Sequence, residues 1–312
     1  MNAPISQVRS AKPSIFMRLI VWLMSKRRPP FPRNASEYAA SLTNRSKPED
    51  APMPAKFEER FRVERREIAG CRVVTLHPRP GPAQWHMLYF HGGGFVLPMF
   101  KEHWPLVAAL VEEAGVSITV PLYDVVPEAS AHDQDALADA AFADLAQRHD
   151  AARIMLCGDS AGGHMALTLA ARLANAGGPQ PGRLALFAPW LDLTLADPAI
   201  RAVESDDILL KIEPLRVAGR LFAGTRDPAI PEVSPLYLSE DTLAKLPPTR
   251  IWTGQHDLFI IDSRTFAGRL STAGVDAQLY EYGGAPHVFM AITPTREAKD
   301  VFALLRDFLA GK

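Results

Sequence analysis

From residue 87 onward, short apolar runs of strand length alternate with longer stretches of helical pattern. No other feature narrows the choice of folds as sharply. The strand candidates are residues 87–90, 116–122, 153–157, 184–188, 250–253 and 277–282. Helical patterns lie between and after them at 101–114, 132–148, 161–176, 262–273 and 294–309. Such alternation predicts parallel strands joined by right-handed crossovers, with helices on both faces of the sheet. The run Leu184-Ala185-Leu186-Phe187-Ala188 is apolar throughout, as a strand covered on both faces should be. Upstream, 61–68 and 71–77 read as two further strands around a turn at Gly70. The mixed-sign charges from Glu58 to Glu67 read as a solvated strand face.

Two stretches stand outside the alternation. Six prolines punctuate residues 29–56 around one short helix near 37–42. The interval between Trp190 and Arg250 carries no clear strand, and a helical pattern runs over 206–222. A long insertion in an α/β sheet is commonly a lid. The expected organisation is an N-terminal cap segment at 1–50 and a catalytic domain at 51–312, with a cap insertion at about 193–232. The apolar run 14–24 is interrupted by Arg18 and is too short to span a bilayer. No small-residue cleavage site follows it. It reads either as an amphipathic helix packed on the body or as one lying at a membrane surface. No stable membrane insertion and a cytoplasmic location are expected.

Composition excludes several classes. Lys and Arg number 34 against 35 Asp and Glu, which removes the electrostatic footprint of a nucleic-acid binder. Cys71 and Cys157 form neither a disulfide framework nor a C-x-x-C pair. No H-E-x-x-H or comparable cluster occurs, so neither a metal nor a cofactor is expected. At 312 residues the chain can bury a core without such staples.

The chemistry concentrates in two glycine-rich motifs. Gly158-Asp159-Ser160-Ala161-Gly162 matches G-x-S-x-G between a predicted strand and a predicted helix. A serine on that turn has a strained backbone and an exposed hydroxyl. The glycines are needed where a side chain would collide with strand or helix. His91-Gly92-Gly93-Gly94 follows the strand at 87–90 and leaves backbone N–H groups open to a developing oxyanion. His91 itself reads as a hydrogen-bonder that shapes the loop. A serine needs a base, and the base needs an orienting carboxylate. His287, after the strand at 277–282, is the best candidate base, and Asp257, after the strand ending at Thr253, the best carboxylate. His256 and Asp262 remain rivals, the latter with an alternative role as a helix cap. His77, His86, His132 and His149 read as solvent-facing.

With these residues assembled, the sequence resembles the hormone-sensitive-lipase-like esterases of the α/β-hydrolase fold. The H-G-G-G motif at His91 and the G-D-S-A-G-G motif at Gly158 together carry the resemblance. So do Tyr123 with Pro127-Glu128, Pro189-Trp190-Leu191-Asp192, Ser234-Pro235-Leu236 and His287-Val288-Phe289. It implies a mostly parallel central sheet flanked by helices, with a helical cap. It further implies a Ser160–Asp257–His287 triad and oxyanion donors at Gly93, Gly94 and Ala161. His91, Gly92, Gly158, Asp159 and Gly162 would support them. Pro98, His164 and residues 129–134 depart from the usual pattern and bear on pocket shape. The expected activity is serine carboxylesterase action on small-molecule esters of short to medium chain. Lactone hydrolysis by the same triad is the alternative, and a non-catalytic receptor on the same scaffold the second alternative. Relatives of this kind often form homodimers.

Overall fold

The apolar runs become the strands of one nine-stranded sheet in the computed structural model, which describes residues 5–26, 35–79 and 81–312. In chain order the strands are β1 (Ser6–Ser10), β2 (Phe61–Ile68), β3 (Cys71–Pro78), β4 (His86–Phe90) and β5 (Ser117–Pro121). They continue with β6 (Ile154–Asp159), β7 (Arg183–Phe187), β8 (Thr249–His256) and β9 (Ala277–Pro286). The sheet order is β1-β9-β8-β7-β6-β4-β5-β3-β2. All neighbours from β1 to β5 pair in parallel, and β3 and β2 add antiparallel at the far edge.

The helices of two turns or more are α1 (Ile15–Ser25), α2 (Ala35–Thr43), α3 (His103–Ala114), α4 (Ala131–Arg148) and α5 (Ala161–Ala176). α6 (Ile212–Ala223), α7 (Ile260–Thr272) and α8 (Arg296–Leu309) complete them. Strand side chains alternate between two cores because successive residues of a strand point to opposite faces. Leu88 and Phe90 of β4 and Leu156 of β6 join a core that includes Phe142 of α4, Leu167 of α5 and Phe266 of α7. Met87, Tyr89, Met155 and Cys157 join the other, with Leu106 of α3 and Leu305 of α8. Deleting a buried leucine from either core costs about 2–5 kcal/mol.

The structure differs from the sequence-based expectation at several places. Residues 1–50 were expected outside the sheet, yet Ser6–Ser10 is its edge strand, paired in parallel with β9 from Ser6↔Leu279 onward. The helix expected over 206–222 begins only at Ile212. Asp207 causes the delay: its Oδ1 accepts the N–H groups of Leu209 and Leu210, each at 2.8 Å, which holds a turn where helix would otherwise run. His86, expected in solvent, is buried in β4, with Nε2 2.7 Å from Thr119 Oγ1. Burial pushes its imidazole down to about 3. Outside the sheet, α2 packs on α6.

Candidate active site

Ser160 sits between β6 and α5 with φ 55° and ψ −118°, a conformation that costs a non-glycine residue about 1–3 kcal/mol. Its surroundings hold it there. Its N–H donates to Phe187 O at 2.8 Å, and its own carbonyl accepts from Trp190 N at 3.1 Å and His164 N at 3.1 Å. The flanking glycines are sterically required. A Cβ on Gly158 would lie 2.2 Å from Gly162 O, and one on Gly162 would lie 1.9 Å from Phe90 O.

The adjacent Asp159 ties this turn to the His91–Gly94 loop. Its buried Oδ1 accepts from Gly92 N at 3.0 Å and from the Tyr89 hydroxyl. His103 Nε2 stands 3.8 Å from its Oδ2. Burial works against ionisation, but His103, Tyr89 and His91 outweigh it and hold this carboxyl below its ordinary range. His91 is wholly buried and stacks on Tyr123 at 4.1 Å, and the Tyr123 hydroxyl donates to His91 O. Its Nδ1 donates to Gly92 O at 2.7 Å, and burial pushes the ring down to about 3. A neutral, buried ring that bonds the loop through Nδ1 and stacks on Tyr123 shapes the loop. Gly93 (φ 129°) and Gly94 (φ 62°) then turn the chain as only glycine readily does. Among the described residues the N–H groups of Gly93, Gly94 and Ala161 donate to no protein acceptor.

The structure brings Asp257 and His287 together at the C-terminal ends of β8 and β9. His287 Nδ1 lies 3.0 Å from Asp257 Oδ2. A carboxylate only accepts, so Nδ1 carries a proton, and in the neutral ring Nε2 keeps its lone pair. Asp257 is fully buried and also accepts from Phe259 N at 2.9 Å and Thr253 Oγ1 at 3.3 Å. Burial lowers the His287 pKa, yet the charge and hydrogen bond of Asp257, with Asp207 and Asp159 beyond, raise it above the ordinary value. Ser160 reaches this pair through a packed aromatic chain. Trp190 donates to Ser160 O and stacks on Phe259 at 5.7 Å, and Phe259 meets the His287 ring edge-on at 5.2 Å. Among the described residues no hydrogen bond joins Ser160 Oγ to His287, a bond that often tightens only around substrate.

The rivals fall elsewhere. His256 is exposed at the end of β8. Asp262 lies inside the first turn of α7, whose cap position is Phe259, and its Oδ2 has no partner among the described residues. Burial and the charges of Asp192 and Asp197 push it up to about 8.

Sequence reasoning missed Asp207. This buried carboxylate lies in the insertion, and its Oδ2 accepts Leu258 N at 2.8 Å, one residue beyond Asp257. Burial, then the charge of Asp257, raises its pKa. The only local signal was an aspartate just before an apolar helical run. Above the loop, Phe95 stacks at 3.6 Å on Phe222 of α6, and His164 meets Phe95 edge-on at 5.2 Å. Burial holds His164 neutral, down to about 3.

Nucleophile turn, glycine loop and buried pair all sit where open α/β sheets bind their ligands, outside the carboxyl ends of the strands. Residues 87–291 match the family model described as alpha/beta hydrolase fold, and the chain belongs to that family. An esterase of Acinetobacter venetianus is 32% identical over 245 residues, covering 77% of this chain and 79% of the relative. An acetyl-hydrolase of Streptomyces hygroscopicus is 32% identical over 206 residues, covering 65% and 67%. The crystal structure of a hormone-sensitive lipase from a metagenome library superposes with TM-score 0.78 at 25% identity, over 95% of this chain and 96% of that one. Within the fold, this is an enzyme of the hormone-sensitive-lipase-like esterase branch.

Proposed function

We propose that the protein is a serine carboxylic-ester hydrolase working through an acyl-enzyme on esters of short to medium chain. The buried 3.0 Å bond between His287 and Asp257 carries this reading, because it leaves Nε2 as the free basic atom of the site. In the proposed reaction His287 Nε2 takes the proton of Ser160 as Oγ adds to the ester carbonyl. The tetrahedral oxyanion accepts hydrogen bonds from the N–H groups of Gly93, Gly94 and Ala161, at the positive end of α5. The imidazolium, steadied by Asp257, returns the proton to the leaving alcohol as the C–O bond breaks. Water then repeats the sequence on the acyl-enzyme and releases the acid. Loss of one oxyanion donor typically costs on the order of 3 kcal/mol in the transition state.

The cap would be built from α2 and residues 193–232. The α2–α6 packing and the Phe95–Phe222 stack support that assignment, and a pocket closed over in this way would favour shorter acyl chains. Ser160→Ala should abolish turnover of p-nitrophenyl butyrate, and a fluorophosphonate should label the native serine and not the variant. Wild-type turnover by that variant would defeat the mechanism; an unlabelled Ser160 would favour a non-catalytic receptor. A panel of acyl lengths with simple lactones sets the substrate class, and a peak on long triglycerides would refute the chain-length reading.

A further inference from the structure

We propose that α1 is a docking face for the surface of an anionic phospholipid bilayer. Met17 is the one fully buried residue of this helix. The outward side is apolar instead of polar: Ile15 is 84% exposed, Trp22 56%, Leu19 49%, Leu23 49% and Phe16 45%. Ile15, Leu19 and Leu23 succeed one another at four-residue spacing, so they form one stripe, with Phe16 and Trp22 flanking it. A contiguous apolar face of this kind in solvent marks an interaction surface.

The helix cannot roll to hide it. Ser14 donates through N–H and hydroxyl to Glu297 of α8, at 2.5 and 2.9 Å. Just before it, Pro13 lies against Gly284 of β9, and Arg9 pairs with Asp300 at 3.0 Å. Met17 points inward, into the core beneath β9 and α8.

Charge identifies the occupant. The sequence from Met1 to Ser36 holds no Asp or Glu, but it holds Arg9, Lys12, Arg18, Lys26, Arg27, Arg28 and Arg33. With the whole chain at −1, everything beyond Ser36 is therefore strongly net acidic. Lys12 and Arg18 have no acidic partner among the described residues, and the Lys26 ammonium lies 5.8 Å over the Trp22 ring. Aromatic and aliphatic residues outward with lysine and arginine beside them suit the boundary between headgroups and acyl chains. Anionic headgroups complete the match. Two copies meeting symmetrically through this helix would set like charges against each other. A helix of 11 residues is too short to cross the hydrocarbon, so it lies along the surface.

The protein carries its own reporter. Of its five tryptophans, Trp85, Trp104, Trp190 and Trp252 are buried, so acrylamide quenching reads Trp22 selectively. Phosphatidylcholine vesicles doped with phosphatidylglycerol should shift Trp22 emission to the blue, protect it from quencher and co-sediment the protein. Pure phosphatidylcholine vesicles should do so far less, and added salt should release the protein. Leu19→Glu/Leu23→Glu should weaken vesicle binding more than about tenfold, as should Arg18→Glu/Lys26→Glu. Both variants should keep wild-type turnover of a soluble ester, which verifies the fold. Three results would each overturn the proposal. One is unchanged Trp22 emission with anionic vesicles. Another is equal binding to neutral vesicles. The third is a wild-type dimer that Leu19→Glu/Leu23→Glu dissociates while vesicles bind neither protein.

Discussion

His287 and its three carboxylate neighbours set how the enzyme should respond to pH. In the proposed mechanism the neutral imidazole is the form that accepts the serine proton, and acid removes it. Because Asp257, Asp207 and Asp159 raise the His287 pKa, the acidic limb of kcat/KM should have its midpoint above the ordinary histidine value of 6.5. Asp207→Asn takes away one of those negative charges, so the limb should move to lower pH. It also weakens the bond to Leu258 N, and kcat should fall about tenfold, the effect of losing ~1.4 kcal/mol. A fall in kcat with an unmoved limb would show that Asp207 acts through packing alone. Asp262 bears on stability. Its pKa rises from 3.8 to about 8 on folding, so the folded state keeps a proton that the unfolded chain releases. That contribution is complete below pH 3.8 and is lost as pH rises toward about 8, at roughly 1.4 kcal/mol per pH unit. Asp262→Asn should therefore be more stable than wild type in urea unfolding at pH 8, with the difference shrinking toward pH 4. The serine turn was legible because its glycines obey local sterics within one short motif. Asp207 was not, since its partner Leu258 lies 51 residues away and no short pattern announces such a bond.

At the scale of elements, strand and helix periodicity located the sheet well, because buried strands on both faces leave long apolar runs. α5 spans Ala161–Ala176, as the sequence predicts. β9 runs on to Pro286, past the Gly283-Gly284 pair that reads as a loop in sequence. Gly283 lies there because a Cβ would come within 2.4 Å of Ala11 O, so the glycine marks a close strand approach and not a bend. β1 escaped notice because most of its residues are polar and its pairing partner, β9, lies near the other end of the sequence. Among the described glycines, Gly162 at the junction of β6 with α5 leaves the least room for a side chain. Gly162→Ala would drive a methyl into Phe90 O and pry the helix from β4. We expect a loss of about 3 kcal/mol or more in thermal unfolding together with loss of ester turnover. Retention of both would mean that the turn relaxes more freely than its contacts allow.

Across the whole molecule, the balanced net charge conceals a cationic N-terminal segment on an acidic body. Counting charges over the full chain could not reveal that separation; the structure supplies the reason to divide it. The same geometry dictates how the segment should be probed. Removing residues 1–26 deletes α1 but also β1, leaving β9 as a bare sheet edge beside His287. Unpaired edges invite association. Such a truncation should aggregate and lose activity by static light scattering and ester assay, whether or not lipid matters. Point substitutions in α1 should do neither.

The pairing of β1 with β9 also has a meaning in time. Ser6 leaves the ribosome long before its neighbour Leu279, with seven of the nine strands made in between. Synthesis adds residues slowly enough that the wait is on the order of tens of seconds. Throughout it, a strand without a neighbour and a helix with an oily flank hang from the nascent chain. They offer a handle to holding chaperones. His287 follows the strand made last, so its place beside Asp257 is set only at the end of synthesis.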